Sequence, residues 1–399
     1  MRLALLIDDY MPDSTRVGAK MFHELACEFV KCGHEVVVIT PGINQKNPLE
    51  KSDLDGVAVW KFNSGPIKDI GKIKRAINET MLSTRAWNAI KSELNSSFFD
   101  GIVYYSPSIF FSRLVTKLKK TCGCASYLVL RDLFPQWAVD EGLMKEGSLI
   151  EKYFRFFEKL NYKAANHIGL MSQNNLTLFN NRTDNLYQTN ILRNWAAFSP
   201  FNFQDADFSY REKLNINNKT IYFYGGNIGH AQDMENLMRL ARDMQSYAQA
   251  HFLFVGQGDE VELINKLAAD WKLDNFTYLP SVNQEEFKHL LSEVDVGLFS
   301  LAHSHTAHNF PGKLLGYMVE SLPILGSVNP GNDLLDIVRE YDAGDIFING
   351  DDKNLFEAAI TYLDDEYRNN KGNNATALLH KEFTVESAAK DIVNIFSHR

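Results

Sequence analysis

The chain has 399 residues, 45% of them hydrophobic and 23% charged, with a formal net charge of −9. That balance fits a soluble globular protein of two or three domains. No run nears the roughly 20 apolar residues of a membrane span, and a pI near 5.7 argues against nucleic-acid binding.

Charge is unevenly spread. Residues 1–200 carry 25 Lys and Arg against 20 Asp and Glu, and the remainder carries 16 against 30. A mildly basic half beside a strongly acidic one points to two domains with different partners. The cysteines form two short-range pairs, Cys27 with Cys32 and Cys122 with Cys124. C-G-C is a poor metal spacing, so reduced thiols in the cytoplasm are expected.

The first half opens on LALLI, which meets Asp8 and Asp9 at once and reads as a buried strand, not a secretion signal. EVVVIT, VAVWKF, GIVYYS, ASYLVLRD and HIGLMS follow, with helices expected near 16–32, 70–94, 108–120 and 148–165. Continuous β-branched runs between helices predict parallel strands covered on both faces. In DDYMPDSTRVGAK, Ser14 or Thr15 would cap a helix. Arg16 stands at its start, and Gly18 lets the loop approach a partner. LVLRDLFPQW places Arg131 and Asp132 at a strand end, either a solvated exit or part of a site. The basic stretches 66–91 and 113–120 read as solvated helix faces or as attachment to an anionic membrane surface.

A polar segment broken by Pro200 then interrupts the pattern. It sets the expected domains at 1–198 and 199–383, with a last helix at 384–399 that either crosses back to the N-terminal domain or stays with the second. The alternation restarts with TIYFYGG, HFLFVG, FTYLPS, DVGLFSL and PILGSV. The expected fold is α/β, with two Rossmann-like doubly wound domains facing a cleft. Ligands then bind beyond the carboxyl ends of the strands.

Three loops of the second half draw attention. YGGNIGHAQD sets Gly226, Asn227 and Gly229 between a strand and a helix, where bare amides and the helix dipole favour a phosphate. FVGQGDE repeats the theme with Gly256 and Gly258, a second glycine turn that would widen a crevice. YGGNIGHAQD is not the full dinucleotide fingerprint, and none follows the first strand, which counts against a dehydrogenase. HSHTAHNFPGK has three histidines without a Cys or acidic ligand grouped with them, so no metal is expected. Lys313, next to Gly312, starts a helix whose dipole disfavours a cation. An anion between the two would account for it.

Taken together these motifs resemble glycosyltransferase family 4, retaining sugar-nucleotide enzymes with the GT-B fold. The stretch from Gly18 through LACEFVKCGHEVVVIT is similar to the family's N-terminal signature. YGGNIG, FVGQGDE, LPSVNQEEFKHLLSEVDVGLFSL and PGKLLGYMVESLPILGS follow in its order. RDLFP and GNIGHAQ resemble the bacterial surface-polysaccharide enzymes related to L-fucosamine transferases.

The resemblance implies a C-terminal domain that binds a nucleotide-diphosphate sugar, UDP-linked, with an N-acetylated deoxysugar among the candidates. It implies an N-terminal domain for a saccharide or polyprenyl-diphosphate-linked acceptor, and no cofactor or metal. Gly226, Asn227, Gly229, Lys313 and Arg193 would take the diphosphate. Gly256, Gly258, His308, Asn309, Phe310, Pro311, Gly312 and Glu320 would take the nucleotide and sugar. Arg16, Gly18 and Arg131 fall on the acceptor side, and Asp132 and Lys313 on the catalytic one.

The chain departs from the family at two glutamates eight residues apart. They fall on His308 and on Gly316, where glycine inside a helix costs roughly 1 kcal/mol against alanine. Glu320, one turn later, or a backbone group is expected to hold the ribose in their place. Asn227 and Gln232 stand where the family often has arginine and lysine, and Ser321 and Leu322 where it has Gly-Lys. A sugar-nucleotide 2-epimerase and a catalytically idle partner subunit are the rival readings. The expected location is cytoplasmic, at the inner membrane face.

Overall fold

Short β-branched and aromatic runs build two parallel sheets. A computed structural model describes all residues except 15, 43–44, 68–70, 107, 141, 203–207, 305–311 and 398–399, and only the backbone of 72, 73, 137 and 140. The chain forms two units, Met1–Trp195 with Val385–Arg399, and Ala196–Thr384. The expected division fell at 198/199 and left the last helix, Val385–Ser397, unassigned; it belongs to the first unit. Its buried Ile392 and Phe396 face that unit's interior, and Glu386 pairs with Lys31 at 3.6 Å.

The first sheet contains β1 (Arg2–Leu6), β2 (Glu35–Gly42), β3 (Leu49–Leu54), β4 (Val57–Asn63), β5 (Gly101–Ser106), β6 (Ala125–Leu130), β7 (His167–Leu170) and β8 (Thr189–Ile191). Its order is β3-β4-β2-β1-β5-β6-β7-β8, and only β3 runs antiparallel to its neighbour. The polar sequence LEKSDL gave no sign of β3; it is a solvated edge strand, fixed by its hairpin with β4. Side chains alternate between faces. Leu6, Ile39, Phe62 and Tyr104 join a core with Leu82 and Ala86 of the helix Lys72–Ile90 and Leu114 and Leu118 of the helix Ser112–Cys122. Each such side chain contributes roughly 1.5–3 kcal/mol by leaving water.

The second sheet is wholly parallel: β9 (Thr220–Asn227), β10 (Ala250–Gln257), β11 (Phe276–Pro280), β12 (Val296–Ser300), β13 (Ile324–Val328) and β14 (Gly344–Ile348), in the order β11-β10-β9-β12-β13-β14. Along β9, Ile221 and Phe223 enter one core while Tyr222 and Tyr224 enter the other. The helix Gln284–Ser292 starts on a capping box of Asn283 and Glu286. The order of strands reverses at β1/β5 and at β9/β12, and the crevices beyond those carboxyl ends are the expected ligand sites. Among the described residues no helix is long and apolar enough to cross a membrane.

Candidate functional site

Strand β9 leaves the second sheet through Gly225, Gly226 and Asn227, at the point where the order reverses. Gly226 adopts φ +113°, open to glycine at little cost. Its partner in the register is Gly256 of β10. A Cβ added to Gly256 would stand 1.8 Å from the Gly226 carbonyl oxygen, and one on Gly258 would stand 2.0 Å from that of Ile228. The second glycine turn therefore does not widen a crevice; it closes on the first. Tyr317 braces the turn from below. Its hydroxyl donates to the Leu298 carbonyl of β12 (3.0 Å) and accepts the Gly225 N–H (3.3 Å), which ties the two strands at the reversal.

Lys313 opens the short helix Lys313–Val319 and reaches back to this turn. Its Nζ sits 3.6 Å from the centroid of the Tyr224 ring. A Cβ on Gly226 would lie 3.9 Å from the same nitrogen. The stem is partly exposed, but the Nζ is buried and has no hydrogen-bond acceptor among the described residues. Burial pushes its pKa down from 10.5 to about 7. The Tyr224 face offsets part of that penalty through cation–π attraction. A buried ammonium with no acceptor among the described residues, set against a glycine turn, is arranged to receive an anion.

Two of the flanking side chains, Asn227 and Gln232, are polar and neutral, and the third, Asp259, is acidic. Asn227 Nδ2 donates to Gln232 Oε1 at 2.7 Å, so the two positions that carry cations in the resembled family satisfy each other here. Gly229 lies between Asn227, Gln232 and Asp259. His308, Asn309, Phe310 and Pro311 lie outside the described residues. Gly312 is the N-cap of the short helix.

At Gly316 an added Cβ would meet Leu291 Cδ1 at 3.1 Å. The glycine therefore faces the buried Leu291, and no open slot for a longer side chain lies in that direction. One oxygen of Glu320 accepts the Phe201 N–H at 2.9 Å, and burial raises its carboxyl pKa. That bond fixes the entry of the second unit and gives Glu320 a structural task besides the expected ribose contact.

In the first unit, Arg131 is corrected from acceptor ligand to clasp. Its guanidinium donates to the carbonyls of Leu192 (2.7 Å) and Arg193 (3.0 Å) and lies over the Trp195 ring at 5.2 Å. Burial lowers its pKa to about 10. Asp132, beside it, is half-buried, and burial raises its carboxyl pKa while Arg131 opposes the rise. Gly18 gives its room to Tyr105: a Cβ there would stand 2.9 Å from the Tyr105 hydroxyl. Charges on Asp132, Arg131 and Asp8 all act on that hydroxyl, so the ends of β1, β5 and β6 meet around it. Arg16 is exposed, 3.7 Å from Asp9, and its N–H reaches the Ser14 hydroxyl. Arg193 lies in the first unit.

Sequence reasoning passed over Tyr224, Tyr317 and Tyr105 as core residues. The signal was available: a tyrosine in a buried run must place its hydroxyl or offer its ring face to a polar group.

The comparisons agree with this architecture. Residues 207–378 match the family Glycosyl transferases group 1, so the second unit carries a domain of that family. The whole chain has the GT-B fold of two Rossmann-like units. Among curated proteins it is similar to the probable glycosyltransferase WbjE of Pseudomonas aeruginosa, 24% identical over 57% of this chain. That alignment spans 57% of WbjE itself. It is also similar to the putative colanic acid biosynthesis glycosyl transferase WcaI of Escherichia coli, 23% identical over 79% of this chain and 80% of WcaI. Among solved structures, Anabaena HepE in complex with UDP and glucose superposes with a TM-score of 0.68 at 15% identity, over the full length of both chains.

Proposed function

We propose that the protein is a retaining family 4 glycosyltransferase of bacterial surface-polysaccharide synthesis, moving a sugar from a UDP-linked donor to a lipid-linked or saccharide acceptor. The observation that carries the reading is the buried Lys313 ammonium, without an acceptor among the described residues, against Gly226 at the sheet reversal. The donor diphosphate lies between the two. As the anomeric C–O bond breaks, its electron pair goes to the diphosphate, and Lys313 with the turn amides stabilises the new charge. No metal is needed, because protein groups supply the positive charge. Asp132 serves the acceptor side, its raised pKa suited to receiving a proton. HepE holding UDP, and WcaI being named for a polysaccharide, support this choice of substrates.

A thermal-shift panel of UDP, GDP and ADP, free and sugar-linked, tests the reading. A ligand at 100 times its Kd adds about 2.7 kcal/mol, and UDP compounds are expected to shift the transition most. No shift by any nucleotide would favour the idle subunit. UDP release that requires an acceptor fraction supports transfer, whereas an isomerised donor formed without acceptor supports the epimerase.

The acceptor's lipid suggests a docking face on the first unit. The helices Lys72–Ile90 and Leu149–Ala164 meet through the Thr80 and Tyr153 hydroxyls. Around that contact Ile77, Met81, Leu149, Ile150 and Phe156 are exposed, as are Lys74, Arg75 and Lys152. Apolar residues beside cations suit an anionic bilayer. The protein is expected to float with anionic vesicles, and Leu149→Glu with Ile150→Glu to weaken that at least about tenfold. Equal flotation of the double variant would remove this face from the reading.

A further inference from the structure

The helix Val17–Lys31 carries a cluster that the proposed reaction does not use. His23 and Cys27 stand four residues apart and share a helix face. Asp55 reaches them from the turn between β3 and β4, a turn held by the Gly56 N–H on Asp53 at 3.0 Å. His23 Nε2 lies 2.9 Å from Asp55 Oδ2 and 3.6 Å from Cys27 Sγ, and all three donor atoms fall within 4.8 Å of one another. We propose that His23, Cys27 and Asp55 form a binding site for a borderline-soft divalent cation, Zn(II) foremost.

The spacing suits a tetrahedral centre. Bond lengths of about 2.0–2.3 Å to N, S and O set ligand atoms roughly 3.4–3.6 Å apart. The imidazole–sulfur distance is already there. The imidazole–carboxylate distance has to open by about half an ångström, as a hydrogen bond gives way to two metal bonds. Asp55 can make that move, since its side chain is 69% exposed. His23 is buried and anchored, so the site has a fixed floor and a movable rim.

The mixed donor set selects the ion. One imidazole nitrogen, one thiolate and one carboxylate match Zn(II) and its spectroscopic substitute Co(II), and suit neither Mg(II) nor Ca(II), which want oxygen. Three protein ligands leave a fourth position for water. The outer shell is in place as well. Tyr10 Oη lies 2.8 Å from His23 Nδ1. A metal on Nε2 needs a proton on Nδ1 and an acceptor for it, and the Tyr10 hydroxyl can accept. Without metal the same hydroxyl donates to Nδ1 while Nε2–H faces Asp55. On binding, Cys27 releases its proton to solvent. Tyr10 belongs to the loop after β1, so the site touches the loop assigned above to the acceptor side.

The test uses the full chain, reduced, freed of metal by chelation and titrated with Co(II), then Zn(II). Saturation at one equivalent is expected, with a thiolate-to-cobalt charge-transfer band, and Zn(II) should raise the melting temperature. Cys27→Ser is expected to abolish the band and weaken binding at least about tenfold. Asp55→Asn, at an exposed turn, should keep the band with lower affinity, and Cys32→Ser should change nothing. Absence of the band in the native chain, its survival in Cys27→Ser, or its loss in Cys32→Ser would overturn the proposal. None of these readouts depends on sugar transfer, so the site stands or falls apart from the proposed activity.

Discussion

Lys313→Met is expected to slow sugar transfer by about 100- to 1,000-fold, the usual cost of losing one preorganised group at a developing oxyanion. Methionine keeps the unbranched apolar stem up to the place of Cε and removes the ammonium that faces Tyr224. The loss should fall on kcat as well as on UDP affinity, because the ammonium meets more negative charge in the transition state than in the ground state. Stability should move the other way. Folding drives the Lys313 pKa from 10.5 to about 7, so the native state penalises the charged form. Below about pH 7 both states are protonated and the penalty is complete. Between about pH 7 and 10.5 the unfolded chain holds a proton that the native one lacks, so stability rises with pH through that window. Lys313→Met removes the slope and stabilises the free protein most at the acid end.

Ligand binding reverses the effect. A diphosphate beside Nζ restores the charge, so UDP binding should take up close to one proton near pH 8 to 9, a window set by the value of about 7. Its affinity should fall about tenfold per pH unit above 7. Calorimetry in buffers of different ionisation enthalpy measures the uptake. If Lys313→Met binds UDP as tightly as the native chain, with the same proton uptake, the ammonium does not face the diphosphate.

Periodicity carries its information in apolar side chains, and that decides what the sequence could tell. β9, β10 and β12 are continuous apolar or aromatic runs and are plain to see, and so are the helices with strong apolar stripes. β3 is polar on both faces because it is a solvated edge, and β8 has three residues. Both owe their existence to neighbours, which no local window records. The same holds at the site. Gly226 and Lys313 announce themselves by type and place. That Gly256 serves packing, that Arg131 clasps Leu192 and Arg193, and that Leu291 fills the space beside Gly316 are facts of three-dimensional contact. The cluster of His23, Cys27 and Asp55 escaped for the same reason, since a hairpin turn brings its third member from 28 residues further along the chain than Cys27.

Gly256→Ala is the second large effect. The new methyl would lie 1.8 Å from the Gly226 carbonyl oxygen, inside any real contact, and both partners are backbone of adjacent strands. No side chain can swing aside to absorb it. The strands β9 and β10 must part, or the turn at Gly226 must move. Overpacking of this kind costs roughly 1–3 kcal/mol or more. In a unit of this size each kcal/mol lowers the melting temperature by about 2–4 °C. A shift of the turn by even an ångström would also take its amides away from Lys313, so transfer should fall about 100-fold. Gly226→Ala separates the two consequences. Its Cβ would meet nothing nearer than the Lys313 Cε at 3.8 Å, so the burden there is the φ of +113°. Gly226→Ala should therefore lose stability only through that backbone strain, roughly 1–3 kcal/mol, and bind UDP more weakly, because the methyl crowds the face that the anion must reach. Should Gly256→Ala melt and turn over like the native chain, the two glycine turns are not packed as the register pairs them, and the donor pocket is built some other way.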